Sequence, residues 1–584
     1  MLKNKLTQLI QKSLSISFPN QSDLAIIVEY PRDKNHGDYS CTLALQLAKS
    51  VQKSPREIAE ILIENIEKPN FVDTIEIAGP GFINFFVSKM YLLGVLRGIL
   101  VEGENYGKNK TGHGKSVIVE YSSPNTNKPL HLGHARNNFL GMAVSRLLEN
   151  NGYDVLKTQI VNDRGIHICK SMLAYQRFGR NTSPDSLGKK GDHFVGDYYV
   201  KYGKMLKDNP SLEVEARLML QKWENNDPLV RGLWRKMNNW VWEGFTQTYE
   251  LIGSHFDFST FESDIAEEGR TIIETALKEG KVERIEGGAL AIDLAIEGLG
   301  DRDQGKKILI RSDGTTMYIT QDIQLAVKRM EKEEIERVIY VVGNEQNYHL
   351  KVLFKILEKL GFKWAKKCYH LSYGMVDLPS GKMKSREGTS VDIDNLVNEL
   401  EKLVGNEIAQ RNLDYPETEQ ADLKRAIALG ALKYFILKVD AKSRMLYDPN
   451  SSIDFQGDTG PYLQYTYARL QAILRKAPEA DQELANVTID NSLFPNEPEE
   501  IALLKKLQLY PELVLDAAQD YRIHSIAIYL NELAQLANSF YTKTPVLEGT
   551  SPELRIARLQ LVTGVTQVLK NGLNILGIEA VKRM

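Results

Sequence analysis

The chain has 584 residues, of which 42% are hydrophobic and 26% charged, and its formal net charge is −3. That length exceeds what one hydrophobic core serves, so three to five domains of ordinary soluble composition are expected. The near-neutral balance excludes a general nucleic-acid coat protein but not an enzyme whose local basic surfaces touch nucleic acid. No apolar run approaches the roughly 18 to 20 residues of a membrane span. Three scattered cysteines, Cys41, Cys169 and Cys368, make neither a disulfide framework nor a zinc site, and fit a reducing cytoplasm.

The N-terminal stretch MLKNKLTQLIQKSL reads as a helix rather than a signal peptide. Residues 1–108 form a first α+β segment that closes on the strand-like IEIAGPGFINFFVS. A polar, glycine-containing stretch, ENYGKNKTGHGK, then reads as a linker. Residues 109–410 alternate strand-like and helix-like patterns, as a parallel α/β sheet of Rossmann type does, with an irregular insertion at about 170–290. Residues 411–584 carry apolar residues at three- and four-residue steps and read as an all-α helical bundle.

Within the α/β segment, SVIVEY is a short strand, SSPNTNKP a tight turn, and HLGHARNNFLGMAVSRLLEN a helix ended by Asn150, Asn151 and Gly152. Leu132, Ala135, Phe139, Leu140, Ala143, Val144, Leu147 and Leu148 mark its apolar face. His131 and His134 sit three apart in the first turn. Free N–H groups of a helix start, with Gly133 allowing close approach, suit developing negative charge on phosphate oxygens. A second junction runs ILIR, SDGTT and a helix for which Thr320 is a candidate N-cap, with Tyr318 and Asp322 beside it. A third runs RVIYVV, GNEQ and NYHLKVLFKILEKLG, with Gln346 at the turn. Ligands of doubly wound sheets bind at the carboxyl ends of strands, so these junctions can line one crevice. With Glu120 and Asn125 they offer two carboxylates and two amides, a pocket for a ligand rich in N–H donors. A fourth element, LPSGKMKSREGTSVDIDNL, carries Lys382, Lys384 and Arg386 on a loop suited to a leaving pyrophosphate.

These residues resemble a known family. PNTNKPLHLGH is similar to the HIGH motif of class I aminoacyl-tRNA synthetases, and its extended form SSPN-x-x-KPLH-x-GH to the arginyl enzymes in particular. KMKSR resembles their KMSKS loop, YITQD their Y-x-T-x-D segment, and GIEAVKRM their C-terminus. The resemblance spans nearly the whole chain in order. It implies arginine activation with ATP and Mg2+, transfer to tRNA, and no zinc. It places Glu120, Asn125, Tyr318, Asp322 and Gln346 in an arginine pocket, and Pro124, His131, Gly133, His134 and Lys382 at ATP. Phe82 and Asn84 resemble contacts to the tRNA elbow, and Tyr541 and Met584 contacts to the anticodon. Ser385 stands where the family loop has its second lysine, with Lys384 shifted by one position. The family is thought to compensate with the lysine before its HIGH motif, here Lys128. Lys128, Lys382 and Lys384 therefore join the histidines as catalytic candidates. A cytoplasmic monomer is expected, and removal of residues 411–584 is expected to leave a soluble catalytic portion with weakened tRNA binding. A short nucleotidylyltransferase would leave the helical domain unexplained. Cysteinyl enzymes need zinc ligands, and leucyl, isoleucyl and valyl enzymes a larger insertion. A non-catalytic tRNA-binding descendant would not need both histidines.

Overall fold

The computed structural model describes residues 1–31, 33–179, 181–265, 269–300, 305–331, 334–377, 391–410, 417–479, 481 and 497–584. The lysine-bearing loop with Lys382, Lys384 and Arg386 lies outside the described residues. No helix among the described residues is long and apolar enough to cross a membrane.

At the centre is a five-stranded, all-parallel sheet. Its order is Cys368–Tyr373, Ile335–Gly343, Ser116–Glu120, Asp154–Val161, Phe258–Phe261. The chain enters at the middle strand, moves outward through Asp154–Val161 and Phe258–Phe261, then returns to the other side of the middle strand. The direction of winding thus reverses between Ser116–Glu120 and Ile335–Gly343, where a parallel sheet opens a crevice. Alternate residues face opposite layers. Val117, Val119, Ile339 and Val341 belong to one core, and Ile118, Val338 and Tyr340 to another.

The short edge strand Phe258–Phe261 falls inside the stretch read as an insertion. The helices Ile166–Phe178, Gly191–Asp208, Leu212–Glu224 and Pro228–Ile252 precede it. The ILIR strand, Lys306–Ile310, is not part of the parallel sheet. It pairs antiparallel with Leu290–Asp293 in a separate three-stranded sheet. The second junction therefore reaches the crevice through its helix alone. That helix spans Tyr318–Met330 and begins two residues before the expected N-cap. Thr320 is buried and donates its hydroxyl to the Leu309 carbonyl, so it serves the core rather than the helix start.

Before the sheet, the helices Leu2–Ser17, Leu43–Val51 and Pro55–Glu64 pack on a four-stranded antiparallel sheet. After it, helices including Glu417–Leu437, Gly460–Lys476, Tyr510–Asp520, Ile523–Lys543 and Pro552–Leu576 form a bundle. The helix Leu132–Asn150 packs against four of these, and one continuous core joins the first segment, one face of the parallel sheet and the bundle. Cutting at 410 would expose part of that core.

Candidate active site

The turn after the middle strand is held in an uncommon shape. Ser122 and Ser123 both adopt left-handed backbone angles, φ 73° and 49°, a conformation that costs energy for residues with a side chain. Buried amides hold it. Asn137 accepts from the Ser122 N–H and donates to the Val341 carbonyl at 2.8 Å, tying together the two strands that flank the reversal. Asn138 donates to Ser122 Oγ at 3.2 Å, and Asn162 to the Ser123 carbonyl at 3.2 Å. Pro124 is buried and its carbonyl accepts from Asn162 N–H; Asn125 is exposed and bridges Asn162.

The two histidines cap each other's helix start. His131 is the N-cap of Leu132–Asn150, and its Nδ1 accepts from Gly133 N–H at 3.2 Å, while His134 Nδ1 accepts from His131 N–H at 3.1 Å. Their rings lie 3.9 Å apart. With both Nδ1 atoms accepting, each neutral imidazole carries its proton on Nε2. Burial, then the nearby Lys128 cation, pushes His131 down to about 3. Burial, His131 and Lys128 hold His134 well below the ordinary imidazole range. Both are therefore uncharged hydrogen-bond donors at neutral pH.

The expected free N–H groups of this helix start are occupied. Leu132 N–H meets the Val391 carbonyl at 3.0 Å, and those of His134 and Ala135 meet the His131 carbonyl. Donation to phosphate is left to the imidazoles. Gly133 likewise serves the His131 ring, which a Cβ there would meet at 3.1 Å. Ile393 N–H donates to the Leu130 carbonyl, so the segment following the undescribed loop is stitched across the histidine turn. Behind this stitch Asp394 accepts from Lys190 at 2.7 Å and lies 3.0 Å from His193 Nε2. Asp192, His193 and Asp394 are close enough together to hold a metal, but the Lys190 ammonium already pairs with Asp394.

Across the crevice, Asp322 lies in the first half of helix Tyr318–Met330 and pairs with His349 Nε2 at 2.6 Å. Tyr318 is 70% exposed, and Gln346 is exposed on the turn ahead of helix Asn347–Lys359. Glu120, expected in support of the arginine pocket, is buried, with its carboxylate in an ion pair with Arg329 of the Tyr318 helix, beside Tyr340. Sequence reasoning missed His349, although it stands three residues after Gln346. It also missed Glu262, which follows the edge strand inside the supposed insertion. Burial, with Asp163 and Asp322 nearby and against the pull of Arg164, raises the Glu262 carboxyl to about 7. Glu262, Asp163 and Asp322 thus lie near one another.

The remaining candidates lie far along the chain. Phe82 is half-buried, but Asn84 is 2% exposed in the middle of its sheet. Asn84 alternates with the core residues Ile83 and Phe85, so its side chain lies on the other face of the sheet, the face that Phe82 shares. Tyr541 is exposed with Arg469 over its ring, and Met584 is half-buried against the bundle.

Three family models match the chain in order: arginyl tRNA synthetase N terminal domain over residues 4–87, tRNA synthetases class I (R), catalytic domain over 95–448, and DALR anticodon binding domain over 463–584. An arginine–tRNA ligase of Flavobacterium psychrophilum is 40% identical, covering 99% of this chain and 100% of its own. One of Treponema denticola is 44% identical, covering 96% of this chain and 95% of its own. The arginyl-tRNA synthetase structure of Thermus thermophilus superposes with a TM-score of 0.81 at 27% identity, covering 100% of both chains. With its own site assembled at the point where the sheet reverses, and with this match from end to end, the chain belongs to the arginyl-tRNA synthetase family of class I aminoacyl-tRNA synthetases.

Proposed function

We propose that this chain is an arginine–tRNA ligase that activates arginine as its adenylate and transfers it to the 3′-terminal adenosine of tRNA. The observation that carries the reading is the pair of uncharged imidazole donors at the turn after the middle strand, in a chain that matches arginine–tRNA ligases from end to end. A carboxylate oxygen of arginine attacks the α-phosphorus of ATP, and the bond to pyrophosphate breaks. His131 and His134 offer Nε2–H to the oxygens that gain charge, with no proton transferred. Mg2+, arriving on the phosphates of ATP, offsets the charge of the β- and γ-groups. A ribose hydroxyl of tRNA then attacks the adenylate carbonyl, and AMP leaves.

Asp322 takes the guanidinium in this reading, because a fork of N–H donors on a carboxylate is a geometry that lysine cannot supply. Tyr318, Asn125 and Gln346 line the same opening. Lys128, which bears on the titration of both histidines, meets the leaving pyrophosphate together with Lys382 or Lys384. Phe82 contacts the tRNA elbow, and Tyr541 and Met584 the anticodon loop. The division 1–108, 109–410 and 411–584 and a cytoplasmic monomer complete the reading. Arginine-dependent exchange of pyrophosphate into ATP, measured with and without tRNA, tests it. Exchange that requires arginine and is not supported by lysine is expected; no arginine-dependent exchange even with tRNA present overturns it.

A further inference from the structure

His349 is the third residue of helix Asn347–Lys359, which leaves the sheet on the far side of the reversal from the histidine turn. Asp322 is on the neighbouring helix Tyr318–Met330. The imidazole Nε2 reaches Asp322 Oδ2 at 2.6 Å, and both side chains are about one-third exposed, 35% and 33%. Among the described residues the Asp322 side chain makes no other hydrogen bond.

From this pair we infer that His349 is a positioning residue for arginine recognition: it holds Asp322 so that the carboxylate presents a fixed edge to the guanidinium. The inference rests on the reading that Asp322 binds that group. A carboxylate on a short stem turns readily about its terminal torsion. One hydrogen bond to Oδ2 stops the turn. Each carboxylate oxygen has two lone pairs, so Oδ2 can keep the imidazole and still accept one N–H of the fork, with Oδ1 accepting the other. The His349 helix begins directly at Gln346, so one rigid turn sets both the amide and the imidazole.

The test compares His349→Ala, His349→Gln and Asp322→Asn in arginine-dependent pyrophosphate exchange at saturating ATP and tRNA. His349→Ala is expected to raise the arginine KM about 10-fold, the equivalent of one charge-assisted hydrogen bond. Its kcat and ATP KM should stay near the parent's. His349→Gln, which keeps an N–H donor, is expected to recover most of that loss. An unchanged arginine KM in His349→Ala overturns the inference, as does a loss that falls equally on kcat and ATP KM or that Gln does not rescue. The two readings fail separately. If Asp322→Asn leaves the arginine KM unchanged, the pocket assignment is wrong. If Asp322→Asn raises it and His349→Ala does not, the role of His349 alone is wrong.

Discussion

An imidazole held far below its ordinary range does not change charge in the physiological window, and this separates two contributions to the pH profile. His131 and His134 stay neutral through pH 6 to 9, so neither should produce an acid limb near 6.5. His134→Ala is expected to lower kcat by ~10² to 10³, the usual cost of one transition-state donor, with little change in arginine KM. Glu262 titrates instead. Its raised pKa of about 7 leaves it neutral below that pH and charged above, and a charged carboxylate favours a cationic substrate. The arginine KM should therefore fall as pH rises through about 7, and Glu262→Gln should flatten the trend; a Gln variant with the parent's profile would sink the assignment. Lys128→Ala is expected to slow adenylate formation more than Lys384→Ala, because Lys128 sits on a turn already fixed by neighbouring strands and needs less ordering. Equal exchange rates in the two variants would refute this. The histidines were legible in the sequence because H-x-G-H after a strand has few other uses. Their tautomers were not, since these depend on which N–H each Nδ1 accepts. His349 was not legible either: nothing in its spacing says that it reaches a carboxylate on another helix.

At the scale of elements, the histidine helix is anchored by a residue that its sequence does not advertise. Arg136 is fully buried and donates to the carbonyls of Gly374 and Ser443 at 2.8 Å, with Asp440 and Ala441 also in reach. It thus joins the helix to the backbone leading into both strands of the short parallel pairing of Val376–Asp377 with Met445–Leu446. Burial pushes its guanidinium down to about 10, still charged at neutral pH. A lysine carries three donors on one atom and cannot span those carbonyls. Arg136→Lys is expected to destabilise the protein by about 3 kcal/mol, the order found when a buried charge loses its partners. Denaturant melts of the two proteins would check it, and equal midpoints would refute it. The apolar face of this helix was readable from its period, and all eight predicted positions, Leu132 through Leu148, are buried. The start of the Tyr318 helix was not, because a threonine near a helix start looks the same whether its hydroxyl caps the helix or serves a buried carbonyl.

At the scale of the molecule, Glu512 is one of several groups that tie the first segment to the C-terminal helices, beside the Lys505–Asp38 ion pair and the shared core. Glu512, buried at the start of helix Tyr510–Asp520, accepts from Tyr30 at 2.6 Å and from the Lys3 N–H at 2.8 Å. Glu512→Gln keeps the shape but turns one acceptor into a donor, and is expected to cost about 1 to 3 kcal/mol. The variant's thermal unfolding should begin with the first segment, seen as early protease cleavage within residues 1–108. A second junction is set by Lys433, buried with its ammonium on the Gly577 carbonyl at 2.7 Å. Burial, reinforced by Arg146, lowers it to about 7, below the ~10.4 of an unfolded lysine. Between those values the unfolded chain binds more protons, so stability should rise with pH across that window and change little below it. Lys433→Met should flatten the rise in Tm between pH 7 and 9; a parent-like slope would contradict this. Domain order was legible from the change of hydrophobic period along the chain. The shared core was not, since periodicity tells which face of a helix is buried but not which domain covers it.

That shared core also bears on how the protein is made. The histidine helix is complete once residue 150 has been synthesised, yet its outer face waits for Lys433, Val514 and the Gly577 turn. The helix ends at Asn150 and the turn it waits for is at Gly577, about 430 residues later, a delay of roughly 20 to 85 s at a synthesis rate of about 5 to 20 residues per second. Throughout that interval the nascent chain displays apolar helix surface, and it should bind chaperones until its last helix emerges. Ribosome-bound chains halted before residue 577 should therefore be protease-sensitive around residues 132–150, whereas the released protein is protected there.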